Sequence, residues 1–346
     1  MRSSHSLDTA FDDDRLIADA GLLLPATLAA HLGLRALVNE HLDLGAAPGR
    51  ANVGDKLLTL VMSALAGGDC IDDANALRAG GTAGVLGIAV KAASTLGTFL
   101  RSFRWGHVRQ LDAVTRQLLG RAWAAGAGPG SEPFTIDLDS TICETYGLAK
   151  EGAIHHGYTG VRGYHPLLAV AAGTGDILAA RLREGRANTV RGAAHFLTET
   201  IGRVRSAGAS GQLTMRADSG FYASEVVGVC RKTDVRFSIT LRMHKGLRRM
   251  IEAIPETAWT PIPYWIPGGA DVAVQVMAHN LARWTARIGL GAGIVTAKNL
   301  RRRLFGLPGR LTRSAPRTTL HFPARWPWAA DFAAALARLR ALPLLA

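Results

Sequence analysis

The stretch FTIDLDST, residues 134–141, sets two carboxylates two residues apart in an otherwise apolar run. Read as a strand it alternates: Thr135, Asp137 and Asp139 share one face, and Phe134, Ile136 and Leu138 the other. Aspartate is unfavourable in strands, and two on one face repel each other unless a cation sits between them. A third, Asp218, stands in RADSGFY, at the end of a second strand-like run. Hard carboxylates brought together from two strands hold Mg2+ or Mn2+, with water and phosphate oxygens filling the remaining octahedral positions. Two such ions about 4 Å apart activate an attacking oxygen and stabilise a leaving one in an in-line phosphoryl displacement. The candidate catalytic and metal-binding residues are therefore Asp139 and Asp218. Asp139 comes last in its run, ahead of Ser140-Thr141, so it lies nearest the open end. Asp137, one pleat deeper, is a supporting or alternate ligand. The plain alternative for the pair is a charge device that keeps a sheet edge from mispairing.

These acids need a sheet to carry them. FTIDLD, HPLLAVAAG and DILAARLREG read as strands, the last two joined at Gly173-Thr174-Gly175-Asp176 by a hairpin-type turn. ANTVRGAAHFLTETIGRVRSAG is amphipathic, with Val190, Ala193, Ala194, Leu197, Ile201 and Val204 on one face, and Gly208 ends it. QLTMRAD is a strand, YASEVVGVCRKTD a helix and VRFSITLR a strand. The order is strand, strand, strand, helix, strand, helix, strand, an α/β arrangement with a mixed sheet and helices on its faces. That order matches the ribonuclease H-like fold. In it the first and fourth strands are neighbours, and Asp139 and Asp218 both stand at strand carboxyl ends, where open sheets bind ligands.

Ahead of the sheet, residues 1–125 read as an all-helical domain, followed by the loop AAGAGPGSEP at 124–133. Within it, STLGTFLRSFRWGHVRQLDAVTRQLLGRAW forms two helical segments broken near Trp105-Gly106, with Arg101, Arg104, His107, Arg109 and Arg116 clustered on them. This is either a helix–turn–helix-like DNA contact or a helical hairpin with a solvated basic face. The chain of 346 residues carries a net charge of +13. Residues 257–346 hold twelve Lys/Arg against two acids. Such an excess points to a polyanion, most often nucleic acid, unless it only reflects arginine-rich coding. In the tail Lys298, Arg301, Arg302, Arg303, Arg310, Arg313 and Arg317 are candidate phosphate contacts. DFAAALARLRALPLL is a short amphipathic helix that docks on the core or on a second copy in a homodimer. Three scattered cysteines make no zinc pattern and suit a reducing cytoplasm. No apolar run reaches the roughly 18 residues a membrane helix needs, and MRSSHSLDTAFDDDR lacks the apolar core of a secretory signal. His155, His156 and His165 fall in the loop between the first two strands and suit polar loop contacts better than a metal. Tyr158 and Arg162, in the same loop, fall within reach of DNA at the sheet end.

The stretches DLDSTICETYG, HHGYTGVRGYHPLLAVAAGTGDILAARLREGRANT and RADSGFYASEVV closely resemble the DDE transposases of bacterial insertion sequences, nearest the thirteen-eighty insertion-sequence family, which is related to piggyBac. The likeness runs from GGDCIDDANALRAGG to GRLTRSAPRTTLHFP. It implies a cut-and-paste transposase with Mg2+ or Mn2+ that nicks double-stranded DNA at terminal inverted repeats and joins the freed 3′-hydroxyl to target DNA. By position in the matching motifs, Asp139 and Asp218 correspond to the first two catalytic acids. The resemblance also implies a third, a glutamate on a helix beyond a β-rich insertion. This chain has no glutamate after Glu256, and its only later acids are Asp271 and Asp331. PYWIPGGADVA, where the insertion begins, runs straight into VQVMAHNLARW, which resembles the helix after the missing glutamate. The junction near Val272–Val274 reads as an internal deletion. The expected organisation is a helical DNA-binding or oligomerisation domain at 1–125, a catalytic core at 134–256, an insertion remnant at 257–273 and a basic helical region at 274–346. The deletion should leave Val276, Leu281 and Trp284 without their usual cover. The expected function is a nucleoid-associated, catalytically defective transposase. A DNA-binding remnant that titrates intact transposase and a different ribonuclease H-like nuclease are the alternatives.

Overall fold

The computed structural model describes residues 15–146, 150–157, 159–241, 243–258, 274–291, 296–314, 317–323 and 326–343. The chain divides into two compact units, one of residues 128–276 and one of residues 1–127 with 277–346.

The first unit is built on a mixed five-stranded sheet. Its strands are β1 (Phe134–Ser140), β2 (Leu167–Ala171), β3 (Ile177–Arg181), β4 (Leu213–Ala217) and β5 (Arg236–Ile239). Their spatial order is β3-β2-β1-β4-β5. The pairs β1–β2 and β2–β3 are antiparallel, as the hairpin turn requires, and β1–β4 and β4–β5 are parallel. Helices α1 (Ala193–Ser206) and α2 (Ser224–Lys232) make the two crossovers. The succession read from the sequence is thus the one observed. It arises because Phe134, Ile136 and Leu138 are buried on one face of β1, and Leu213, Met215 and Ala217 on the same face of β4. Each of these side chains larger than alanine stabilises the fold by about 1.5–3 kcal/mol, and the Ala217 methyl by about 0.8 kcal/mol. α1 covers the sheet with Phe196, Leu197, Ile201 and Val204, and α2 with Val226 and Cys230. Gly175, at φ +72°, lets the β2–β3 turn close with its N–H on the Ala171 carbonyl at 2.7 Å. The segment between β1 and β2 is more ordered than a loop. It forms a small antiparallel sheet of Cys143–Glu144, Ile154–His155 and Arg162–Tyr164.

The second unit contains helices Leu23–His31, Leu34–His41, Val53–Ala66, Ala93–Arg101 and Trp105–Ala122. Residues 277–346 belong to this unit together with the N-terminal helices. Helix Ala329–Arg340 buries Phe332, Ala335 and Leu339 and packs on Leu23–His31 and on Thr285–Leu290. Strands Gly309–Ser314 and Arg317–His321 form a hairpin that pairs with Leu16–Ile17. Leu281 and Trp284, expected to be uncovered, are buried in this unit; the Val276 side chain lies outside the described residues. Chain ends distant in sequence thus supply each other's apolar cover, which periodicity within one segment does not reveal. Among the described residues no single helix is long and apolar enough to cross a membrane.

Candidate active site

The β1–β4 pairing sets Leu138 opposite Ala217 in parallel register. The next residue on each strand is an aspartate, so Asp139 and Asp218 stand level at the carboxyl ends of the two central strands, which run about 4.8 Å apart. Both are exposed. Each is held by one oxygen. Asp139 Oδ1 accepts the Ser140 N–H at 2.7 Å, and Asp218 Oδ1 accepts the Gly220 N–H at 2.9 Å, capping the short helical turn Ser219–Phe221. Their other oxygens accept no hydrogen bond among the described residues. Two anchored carboxylates, each with a second oxygen, form a donor set suited to one hard divalent cation. A Cβ at Gly220 would crowd Asp218 Oδ1 at 3.0 Å and Thr189 Cγ2 at 3.1 Å, so a larger residue there must displace one of these side chains.

Asp137 faces a different cation. Arg216, its register partner on β4, donates from Nε and Nη2 to its two oxygens, each at 2.7 Å. The pair holds the guanidinium above its ordinary pKa, chiefly through that hydrogen bond. Repulsion between the β1 aspartates is therefore relieved by an arginine, and both oxygens of the presumed alternate ligand are engaged. Strand parity carried the signal, since Arg216 shares its face with Thr214 and so with Asp137 once the two strands run parallel.

A second network grips the ends of both strands. His165, buried just before β2, meets the Ala187 carbonyl through Nδ1 at 2.7 Å and the Ser140 hydroxyl through Nε2 at 3.0 Å. A carbonyl only accepts, so Nδ1 carries the proton and Nε2 accepts from Ser140. Burial lowers the His165 pKa, and Arg183 and His156 add to this, against the Ala187 carbonyl and the Asp139 charge. The ring is accordingly neutral at pH 7. Arg183 donates from Nε to the His165 carbonyl at 2.8 Å, and from Nη1 to the carbonyls of Asn188, Thr189 and Arg191 at 2.9–3.1 Å. Burial, with Arg191 close by, lowers its pKa to about 10. The loop 187–191 is thus tied to the Asp139 end through His165 and lies against the Asp218 turn through Thr189. Ser140, His165 and Arg183 were not legible as site residues, because loop-to-strand contacts leave no periodicity.

Among the described residues, the group of three donors close enough to share a metal is Asp69, Cys70 and Asp73, not Asp139 and Asp218 with a third. Asp73 spends its carboxylate on the Asp69 and Cys70 N–H groups. Glu225 and Asp234 are exposed at either end of the α2 segment, and Asp271 lies outside the described residues.

The profile of the family described as transposase DDE domain group 1 matches residues 1–264. The chain belongs to that family. It is a DDE transposase domain in sequence, and its mixed α/β architecture agrees. Among solved structures it is similar to the piggyBac transposase synaptic complex with hairpin DNA, at 14% identity and a TM-score of 0.35, covering 70% of this chain and 54% of that one. The chain thus spans about half the length of that relative. No curated protein matches it.

The arginines that would serve a DDE transposase as DNA contacts fall into two sets. Arg101, Arg104 and Arg109 are exposed around the junction of helices Ala93–Arg101 and Trp105–Ala122. Lys298, Arg302 and Arg303 are exposed in the tail, Arg303 lying over the Trp328 ring. Arg301 is different: its Nε and Nη2 donate to the Leu65 and Ala64 carbonyls at 2.9 Å, capping the end of helix Val53–Ala66. Two of its donors thus satisfy that helix end. The Arg313 side chain lies outside the described residues.

Proposed function

We propose that the chain is an insertion-sequence DDE transposase by descent, of the thirteen-eighty family, with a ribonuclease H-like core whose two surviving acids are Asp139 and Asp218. The carrying observation is their level placement at the ends of two parallel central strands, with no third donor beside them among the described residues. Asp139 and Asp218 would hold Mg2+ or Mn2+, and such an ion supplies activation of an oxygen nucleophile and charge relief at phosphate. Arg216 neutralises Asp137, and the His165–Arg183 network fixes the strand ends. An internal deletion near Val272–Val274 has taken the third acid, which removes the clamp on attacking and leaving oxygens and with it orders of magnitude in rate. The protein therefore binds double-stranded DNA, terminal repeats above all, as a nucleoid-associated homodimer, without transposing it.

The second reading concerns present activity: a DNA-binding remnant that occupies element ends or titrates intact transposase. Exposed Arg101, Arg104, Arg109, Lys298 and Arg302 favour it. A gel shift run beside a cleavage assay in Mn2+ tests both. Binding without cutting is expected. Cutting at terminal repeats would overturn the claim of lost catalysis, and metal-dependent cutting of unrelated DNA would show a general nuclease.

A further inference from the structure

The turn between helices Ala93–Arg101 and Trp105–Ala122 is anchored by rings. Phe99 and Phe103 pack edge to face with centroids 4.9 Å apart, and Phe103 meets His107 in the same way at 6.1 Å. Phe99 is fully buried, with the Lys56 ammonium 5.6 Å from its centroid. The His107 ring also accepts the Arg104 N–H at 3.0 Å. Trp105, the next residue, does the opposite and is 79% exposed. Its indole forgoes the large apolar gain that burial would give it. It is nevertheless not loose: the Arg109 guanidinium, one helical turn on, lies over its ring at 5.9 Å from the centroid. Leu100 and Val108 are exposed beside it, as are Arg101 and Arg104. From Ala74 to Leu111 the sequence contains no carboxylate, and Asp112 is the first to follow.

We propose that this corner, Trp105 with Arg101, Arg104 and Arg109, is a docking surface for unpaired nucleotides of single-stranded DNA. The inference rests on the DNA-binding reading above and names the form of DNA this surface takes. Arginines meet phosphates whatever the strand count. An exposed flat ring on the same corner adds something only where a base can leave the stack and lie on it. An intact duplex keeps its base faces covered, whereas an unpaired nucleotide presents a face and a phosphate together. Every base has such a face, so the surface is tolerant of sequence. Tryptophan and arginine serve protein interfaces as well, but a protein partner would have to bring the carboxylates this segment lacks, whereas a nucleic acid carries a phosphate at every nucleotide.

The test measures binding of the full chain to a labelled oligothymidylate and to a duplex of equal length, over a range of salt. Trp105→Ala should weaken the single strand by about 5- to 100-fold while changing duplex binding less than about twofold. Trp105→Phe, which keeps a ring, should recover much of the loss. Arg104→Ala should weaken both DNAs and lower the salt slope by about one ion. Equal loss on both DNAs with Trp105→Ala, or no loss on either, overturns the inference and leaves the DNA-binding reading standing. A shift of Trp105→Ala from dimer to monomer in sedimentation, with single-strand affinity kept, assigns the corner to a subunit contact and also overturns it. Failure of the unaltered chain to bind either DNA removes the DNA-binding reading and this inference together.

Discussion

The two sides of the central sheet are built to different standards. At β1 and β4 alternate residues are sealed from water, at β2 all but Val170, and the strands are cross-tied by Arg216 on Asp137 and by His165 on Ser140. At β5, one strand away, Arg236, Phe237 and Ser238 are all exposed. The helix that follows, Lys245–Glu252, buries no residue, and Met250 is 70% exposed. The difference shows which part of a metal site survives alone. Asp139 and Asp218 are fixed by strands that the core must form anyway, whereas a ligand carried on helix Lys245–Glu252 would stand on an element that buries no residue.

The largest effect that would sharpen this contrast is on metal binding. Mn2+ titrated into the full chain and followed by electron paramagnetic resonance should show one weak site. Asp139→Asn or Asp218→Asn should weaken it at least about tenfold by removing a charged ligand, while Glu225→Gln leaves it unchanged. Equal binding by all three variants would refute the placement of the site.

Next comes stability. Ile136→Ala, at a fully buried position on β1, should cost about 2–5 kcal/mol in denaturant melts. Phe237→Ala, on a side chain 44% exposed, should cost less than about 1 kcal/mol. Comparable losses would mean that the β5 side is as firmly held as the centre.

A smaller effect is expected at His165. His165→Ala strands the Ala187 carbonyl and the Ser140 hydroxyl and should cost about 1–3 kcal/mol at pH 7.5. The folded state holds this histidine below its ordinary pKa of 6.5, so it resists a proton that the unfolded chain accepts. Its contribution is present above pH 6.5 and is lost as pH falls through that value toward the folded pKa. Melts at pH 7.5 and pH 5.5 should therefore show a smaller gap between the parent and His165→Asn at the lower pH. A gap that widens on acidification would contradict the buried neutral ring.

The smallest effect is chemical. Burial raises the Cys230 thiol to about 11, so at pH 8 about one molecule in a thousand carries the reactive thiolate. Cys70, exposed, should react with a thiol reagent at once in the native protein and Cys230 only on unfolding. Prompt labelling of Cys230 would show that α2 opens readily and that the weakness at β5 reaches inward.

Much of this was legible in residues. Alternation in FTIDLD and QLTMRAD fixed which side chains face the core, and the strand and helix order fixed that β1 and β4 are neighbours. From that neighbourhood Asp139 and Asp218 could be set side by side. Arg216 was readable in principle by parity. His165 and Arg183 were not, because each acts through backbone carbonyls of the 187–191 loop. The role of Arg301 at a helix end is hidden for a similar reason: in sequence it is one of three adjacent arginines, and its bonds to the Leu65 and Ala64 carbonyls join segments far apart in the chain.

The sequence by itself determined the period of each element, the order of strands and the positions of the two acids, because these follow from local alternation and chain connectivity. It also determined the lack of any glutamate beyond Glu256. Only the tertiary structure decided which cation answers Asp137, what holds the strand ends, that Leu281 and Trp284 are buried, that helix Ala329–Arg340 packs on Leu23–His31, and that Trp105 stands outside. Those outcomes depend on contacts between distant segments, and a free energy shared between distant residues is written in neither of them alone.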